Sequence, residues 1–160
     1  LNEALLNALI ATGYRLPQPG RAILISSGGA KGKVSLLEPA KELVKKGYKV
    51  YATAGTARFF NDNGVEATPV AWPDEEPALD GSPVENVMDM ISRHQFDLII
   101  NVPKNHTKRE LTNGYRIRRG AIDHNIPLMT NVRLAKAFIE AFTAMRLDDI
   151  KIKSWQEYNA

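Results

Sequence analysis

Residues Tyr48 to Phe60 constrain the fold most. Tyr48-Lys49-Val50-Tyr51 alternates and is rich in β-formers, so it predicts a strand, and Thr56 to Asn63 predicts the start of a helix. Between them Ala52-Thr53-Ala54-Gly55-Thr56 is a turn made only of small residues and two hydroxyls. A strand, a small-residue turn and then a helix aim backbone N–H groups and the positive end of a dipole at one spot. That spot suits a phosphate or carboxylate. Gly55 lets the backbone approach a ligand closely, and Thr53 and Thr56 add hydroxyl donors. Simple capping of the helix by Thr56 would also explain a threonine there.

At 160 residues the chain can bury one full core and is short for two. A net charge of +3 is too small to argue for nucleic acid as a partner. With no cysteine, disulfides, zinc–thiolate sites and cysteine nucleophiles are excluded, which fits a reducing compartment such as the cytoplasm. No apolar run approaches the ~18 residues that span a bilayer, so no membrane partner is expected. The chain opens at Leu1 without a signal-peptide pattern and reads as a piece of something longer.

Asn2 to Ala11 has apolar residues at helical spacing and Gly13 as a stop. Pro17 and Pro19 stiffen an extended connector, so residues 1–19 read as a helix and linker from a preceding domain and 20–160 as one domain. Ala22-Ile23-Leu24-Ile25 predicts a buried parallel strand, Ser26 to Lys33 a loop, and Ser35 to Lys46 a helix whose start is blurred by Pro39. Ala67 to Trp72 predicts an edge strand because of Pro69. Pro73 to Pro83 reads as loop, Val84 to His94 as helix, Phe96 to Asn101 as a second buried strand and Pro103 to Gly114 as a basic loop. Tyr115 to His124 reads as helix, Pro127 to Met129 as strand, Val132 to Met145 as helix, and Lys153 to Asn159 as a last turn. Such alternation predicts an α/β fold: three layers, a five-stranded parallel sheet with helices on both faces. Right-handed crossovers then bring the loops after the strands to one edge, where such sheets bind ligands.

Several groups gather at that edge. Lys33 either overlies an anion held at Thr53 and Thr56 or is a solvated surface lysine. The Ser27–Ser35 stretch lacks the glycine and hydroxyl that a nucleoside-triphosphate loop needs, so that activity is rejected. Asn101, Lys104, Asn105 and Lys108 either read polar atoms of a ligand or form an ordinary polar loop. Trp72 is a stacking wall or a core aromatic. Arg116, Arg118 and Arg119 read as a solvated or interdomain face. His94, His106 and His124 have no metal-ligand spacing, and no nucleophile motif stands out, so neither a metal, a cofactor nor a catalytic residue is expected.

Taken together, Ala52–Ala57, Ile99-Ile100-Asn101-Val102-Pro103, Ile117 to Asp123 and Pro127 to Val132 resemble the methylglyoxal-synthase-like fold. Leu9 to Pro17 is similar to the junction leading into the C-terminal allosteric domain of the carbamoyl phosphate synthetase large subunit. The resemblance covers almost the whole chain. It implies a regulatory domain that binds an anionic effector and tunes ATP-dependent carbamoyl phosphate synthesis by catalytic domains of the same chain, supplied by a glutaminase small subunit, in pyrimidine or arginine biosynthesis. No catalysis is expected of this domain alone. By resemblance Lys33, Thr53 and Thr56 hold the effector's phosphate or carboxylate, and Asn101 contacts the rest of it. Trp72 stands where uridylate-responsive bacterial chains have lysine. Thr53, Thr56, Trp72, Asn101 and Asn113 match the N-acetylglutamate-responsive pattern, but Lys104 replaces an asparagine in it. Uridylate, inosinate, ornithine and N-acetylglutamate are therefore all candidates.

Two enzymes share the fold. Methylglyoxal synthase, a lyase acting on dihydroxyacetone phosphate, is the alternative. It needs a Gly-Gly-Asp segment where this chain has Ser82-Pro83-Val84, and a His–Asp pair where it has Lys104-Asn105-His106-Thr107. The inosinate cyclohydrolase domain has a Lys-Thr-Leu-His segment that is missing here.

Overall fold

The computed structural model describes residues 2–11, 15–75, 84–103 and 107–144. In chain order these form α1 (Asn2–Ala11), β1 (Ala22–Ser27), α2 (Ala30–Lys45), β2 (Lys49–Thr53), α3 (Ala54–Asp62), β3 (Thr68–Val70), α4 (Val87–Ser92), β4 (Phe96–Val102), α5 (Lys108–Asp123), β5 (Leu128–Met129) and α6 (Val132–Thr143). The strands make one parallel sheet in the order β3-β2-β1-β4-β5, as the alternation predicts.

Side chains leave a strand on alternate faces, so each buried strand feeds two cores. Ile23 and Ile25 of β1 and Leu98 and Ile100 of β4 meet Leu36, Ala40 and Leu43 of α2, Phe60 of α3 and Phe138 and Phe142 of α6. Leu6 of α1 is fully buried in the same layer. On the other face Leu24 and Ile99 pack against Val87, Met90 and Ile91 of α4 and Ile117 and Ala121 of α5. Each such side chain contributes ~1.5–3 kcal/mol of burial. Pro69 sits in the edge strand β3, where a missing N–H removes no bond from a neighbour beyond it.

Four boundaries differ from the sequence expectation, each for a local reason. α2 begins at Ala30, not Ser35, because Gly29 turns the chain with φ 91°, and the helix runs through Pro39 on its buried side. No separate turn joins β2 to α3, since Thr53 ends the strand and Ala54 opens the helix. α4 starts at Val87, where the Asn86 side chain accepts the Met88 N–H. α5 starts at Lys108 inside the expected basic loop, because the Thr107 hydroxyl accepts the Glu110 N–H at 3.1 Å. Residues 76–83, 104–106 and 145–160 lie outside the described residues. So do Lys104, most of the expected loop to Pro83 and the expected last turn at Lys153 to Asn159.

At the amino edge of the sheet the register slips between Ala22 and Ile23, so that Ala22 faces Phe96 and Ile23 faces Leu98. Asp97 is the extra residue. Its carboxylate accepts the Gln18 N–H at 3.0 Å and the Arg21 Nε at 2.9 Å. Nearby the Tyr48 hydroxyl donates to the Pro17 carbonyl at 2.9 Å, with its ring edge-on to Phe142. Burial pushes the Tyr48 phenol up to about 12, and Asp97 adds to the shift. The proline connector is thereby fastened to the body of the domain.

Candidate functional site

β1 leads to β2 and β3 on one side, and the chain then returns to lay β4 on the other side of β1. The strand order reverses there, which opens a crevice at the carboxyl ends of β1 and β4. A pocket of about 250 Å³ occupies it, lined by Ser26, Ser27, Gly28, Gly29, Lys33, Thr53, Gly55, Thr56, Trp72, Asn101, Val102, Pro103, Glu110 and Gly114. Six of the eight residues picked from the sequence thus meet in one place: Lys33, Thr53, Gly55, Thr56, Trp72 and Asn101. Asn113 is buried one residue before Gly114, and its Oδ1 has no hydrogen-bond partner among the described residues.

Two helices open onto this pocket, and neither carries a side-chain cap. α2 starts after Gly29, which has no side chain, and Thr53, at the head of α3, makes no capping bond. By contrast Asn86, Thr107 and Asn131 cap α4, α5 and α6. The first-turn N–H groups of α2 and α3 are therefore left for another acceptor, with both dipoles adding positive potential. Lys33 supplies a formal charge at the same spot. Its Nζ lies 3.4 Å from where a β-carbon on Gly55 would stand, and no ion-pair partner for it occurs among the described residues. Among the described residues Glu110 is the one acid lining the pocket.

The two threonine hydroxyls have partners within the fold. Thr53 Oγ1 donates to Ser26 Oγ at 3.0 Å, which leaves the Ser26 proton to point elsewhere. Thr56 Oγ1 donates to the Ser27 carbonyl at 3.2 Å and accepts the Ser27 N–H at 3.1 Å. Both threonines are buried and stitch the head of α3 to the end of β1. The Ser27 hydroxyl has no partner among the described residues and rests against Gly32, where a β-carbon would fall 2.3 Å from it.

Arg118 was expected on a solvated or interdomain face, and the structure turns it instead towards the end of β4. Its Nη1 donates to Asn101 Oδ1 at 2.7 Å, which leaves the Asn101 amide N–H groups for the pocket. Gly114, one turn earlier on α5, makes room, since a β-carbon there would lie 2.9 Å from the guanidinium. The sequence signal was a glycine four residues before an arginine, opposite a strand-end asparagine. Arg119 pairs with Asp123 at 3.2 Å on the exposed side. Trp72 is held by its backbone: Asn86 Nδ2 donates to the Trp72 carbonyl at 3.0 Å and to that of Glu75 at 3.2 Å. His94 and His124 meet ring to ring, 5.4 Å apart, beyond the ends of α4 and α5 and away from this pocket. No cluster of His, Asp and Glu that could hold a metal ion occurs among the described residues.

These features define an α/β domain with a pocket at the carboxyl edge of its sheet, lined by two uncapped helix starts and Lys33. The profile of the MGS-like domain matches residues 35–130, and the chain belongs to that family. It is 37% identical over its whole length to human mitochondrial carbamoyl-phosphate synthase [ammonia], of which it spans 10%. It is 38% identical over 87% of its length to the multifunctional protein CAD of Squalus acanthias and 39% over 87% to ura1 of Schizosaccharomyces pombe, spanning 6% of each. A solved methylglyoxal synthase from Elizabethkingia anophelis superposes with a TM-score of 0.51 at 19% identity, covering 76% of this chain and 79% of that one. That likeness concerns the fold alone.

Proposed function

We propose that this chain is the effector-binding regulatory domain of a carbamoyl phosphate synthetase large chain. The observation that carries the reading is the convergence of two uncapped helix starts and Lys33 on one pocket. Backbone N–H groups of α2 and α3 and the Lys33 ammonium take the phosphate or carboxylate, while Trp72, Asn101 and Asn113 face the rest of the effector. Residues 1–19 are the junction to catalytic domains that make carbamoyl phosphate, and a glutaminase subunit is the further partner. The kinship to carbamoyl-phosphate synthase and CAD chains supports this assignment. Binding energy reaches the catalytic domains as a coupling of typically ~1–3 kcal/mol.

Calorimetric titration of the domain with uridylate, inosinate, ornithine and N-acetylglutamate tests the reading. Saturable binding of one anionic candidate, lost in Lys33→Met, is expected. Four flat titrations, or binding indifferent to Lys33, would overturn it. Incubation with dihydroxyacetone phosphate should release no phosphate; release would assign the chain to the lyases instead.

A further inference from the structure

We propose that Asp74 and Arg109 form a positioning clasp that holds Trp72 as a wall of the pocket. Arg109 stands in the first turn of α5 and Asp74 two residues past Trp72, thirty-five positions earlier in the chain. The guanidinium grips the carboxylate with both branches, Nε to Oδ2 at 2.7 Å and Nη2 to Oδ1 at 3.1 Å, and reaches Glu75 at 3.5 Å. Such two-pronged geometry fixes orientation as well as distance. It joins the two sides of the pocket mouth, because Trp72 lines one side and Glu110 and Gly114 of α5 line the other.

The Trp72 segment is thus held from two directions. Asn86 grips its carbonyls from α4, and Arg109 grips its next acid from α5. The Asn86 grip ties the turn to the head of α4, and within the turn the Glu75 N–H returns to the Trp72 carbonyl at 3.0 Å. The two-pronged Arg109 link, with the Asn113 amide beside it, ties that turn to α5 on the far side of the pocket. Consistent with this, the Arg109 guanidinium, and less strongly the Asn113 amide, hold the Asp74 carboxyl below its ordinary value. The clasp is exposed, with the arginine side chain 62% accessible, so salt weakens it.

The inference rests on the anion-pocket reading for its ligand effects, and a ligand-free measurement keeps the two separable. In a Trp155→Phe background Trp72 is the only indole of the chain. Arg109→Gln and Asp74→Asn should each shift its emission to the red and raise acrylamide quenching, and the double variant should do no more than either single one. Unchanged emission and quenching in both single variants, or fully additive changes, would sink the clasp.

With ligand present, uridylate and N-acetylglutamate serve as organic probes and inorganic phosphate as a bare anion. Whichever organic probe binds should lose about two- to fivefold in affinity in Arg109→Gln, the range of an exposed ion pair, while phosphate binding holds. Equal weakening of phosphate would place the effect on the anion seat and overturn the inference. Should neither organic probe bind, the emission data alone decide the clasp.

Discussion

The ammonium of Lys33 stands 3.4 Å from the place that a β-carbon on Gly55 would take. Gly55 has ordinary helical backbone in the first turn of α3, so alanine fits its conformation. Gly55→Ala should therefore raise stability by ~0.5–1 kcal/mol through helix propensity, while its methyl crowds the lysine and the bare N–H groups and lowers anion affinity. Thermal unfolding and titration on one sample check the opposed signs. A fall in stability, or an unchanged affinity, would contradict the geometry.

Thr56 carries two hydrogen bonds to the buried backbone of Ser27. Thr56→Val keeps the shape and strands both partners, so it should cost ~1–3 kcal/mol in urea unfolding, with Thr56→Ser restoring most of it. Anion binding should fall as well, because the head of α3 loses its tie to β1. A stability loss equal in Val and Ser variants would show that the methyl, not the hydroxyl, matters.

Gly32 and Ser27 form a size-matched pair. A β-carbon at residue 32 would meet the Ser27 hydroxyl at 2.3 Å but the Ser27 β-carbon only at 3.7 Å. Gly32→Ala alone should destabilise, typically by ~1–3 kcal/mol as overpacking does. In a Ser27→Ala background the same change should become neutral or stabilising, since alanine favours helix. A double-mutant cycle with no coupling would refute the pairing.

Arg118 orders the Asn101 amide. Arg118→Met should weaken binding of any organic effector by ~1–3 kcal/mol, the scale of a hydrogen bond to a charged group, and lower stability as well, since the buried Asn101 Oδ1 loses its donor. Calorimetry beside a denaturation curve separates these effects.

The Tyr48 phenol is raised from 10.0 to about 12 by burial, so the fold favours its neutral form. That contribution is complete below pH 10 and is lost as pH rises towards 12. Stability measured from pH 9 upward should fall across this window in the parent and less steeply in Tyr48→Phe. The same variant should cost ~0.5–1.5 kcal/mol at neutral pH by leaving the Pro17 carbonyl without its donor.

Much of the architecture was legible because the apolar runs Ala22–Ile25 and Phe96–Ile100 can only be buried on both faces. The small residues of Ala52–Thr56 pointed to the pocket for the same reason, as no bulky side chain could be fitted there. Less was legible where one residue serves two purposes. Gly114 looked like a loop breaker but is a packing gap for Arg118, and Thr107 with Glu110 is a capping signature hidden in a basic stretch. The threonine hydroxyls were read for their place at the pocket, and their partners twenty-seven and twenty-nine positions away were not legible. Hydrogen bonds over such separations leave no periodic trace in a sequence. The register slip that frees Asp97 leaves none either.

The reversal of strand order at β1 has a thermodynamic consequence. The groups that line the pocket come from residues 26–33, 53–56, 72, 101–103, 110 and 114, so a guest bound there would cross-link both wings of the sheet. It must leave before the wings part. Occupancy at a hundredfold excess over its dissociation constant therefore adds about 2.7 kcal/mol to the work of unfolding, and the melting point becomes a concentration gauge for the guest.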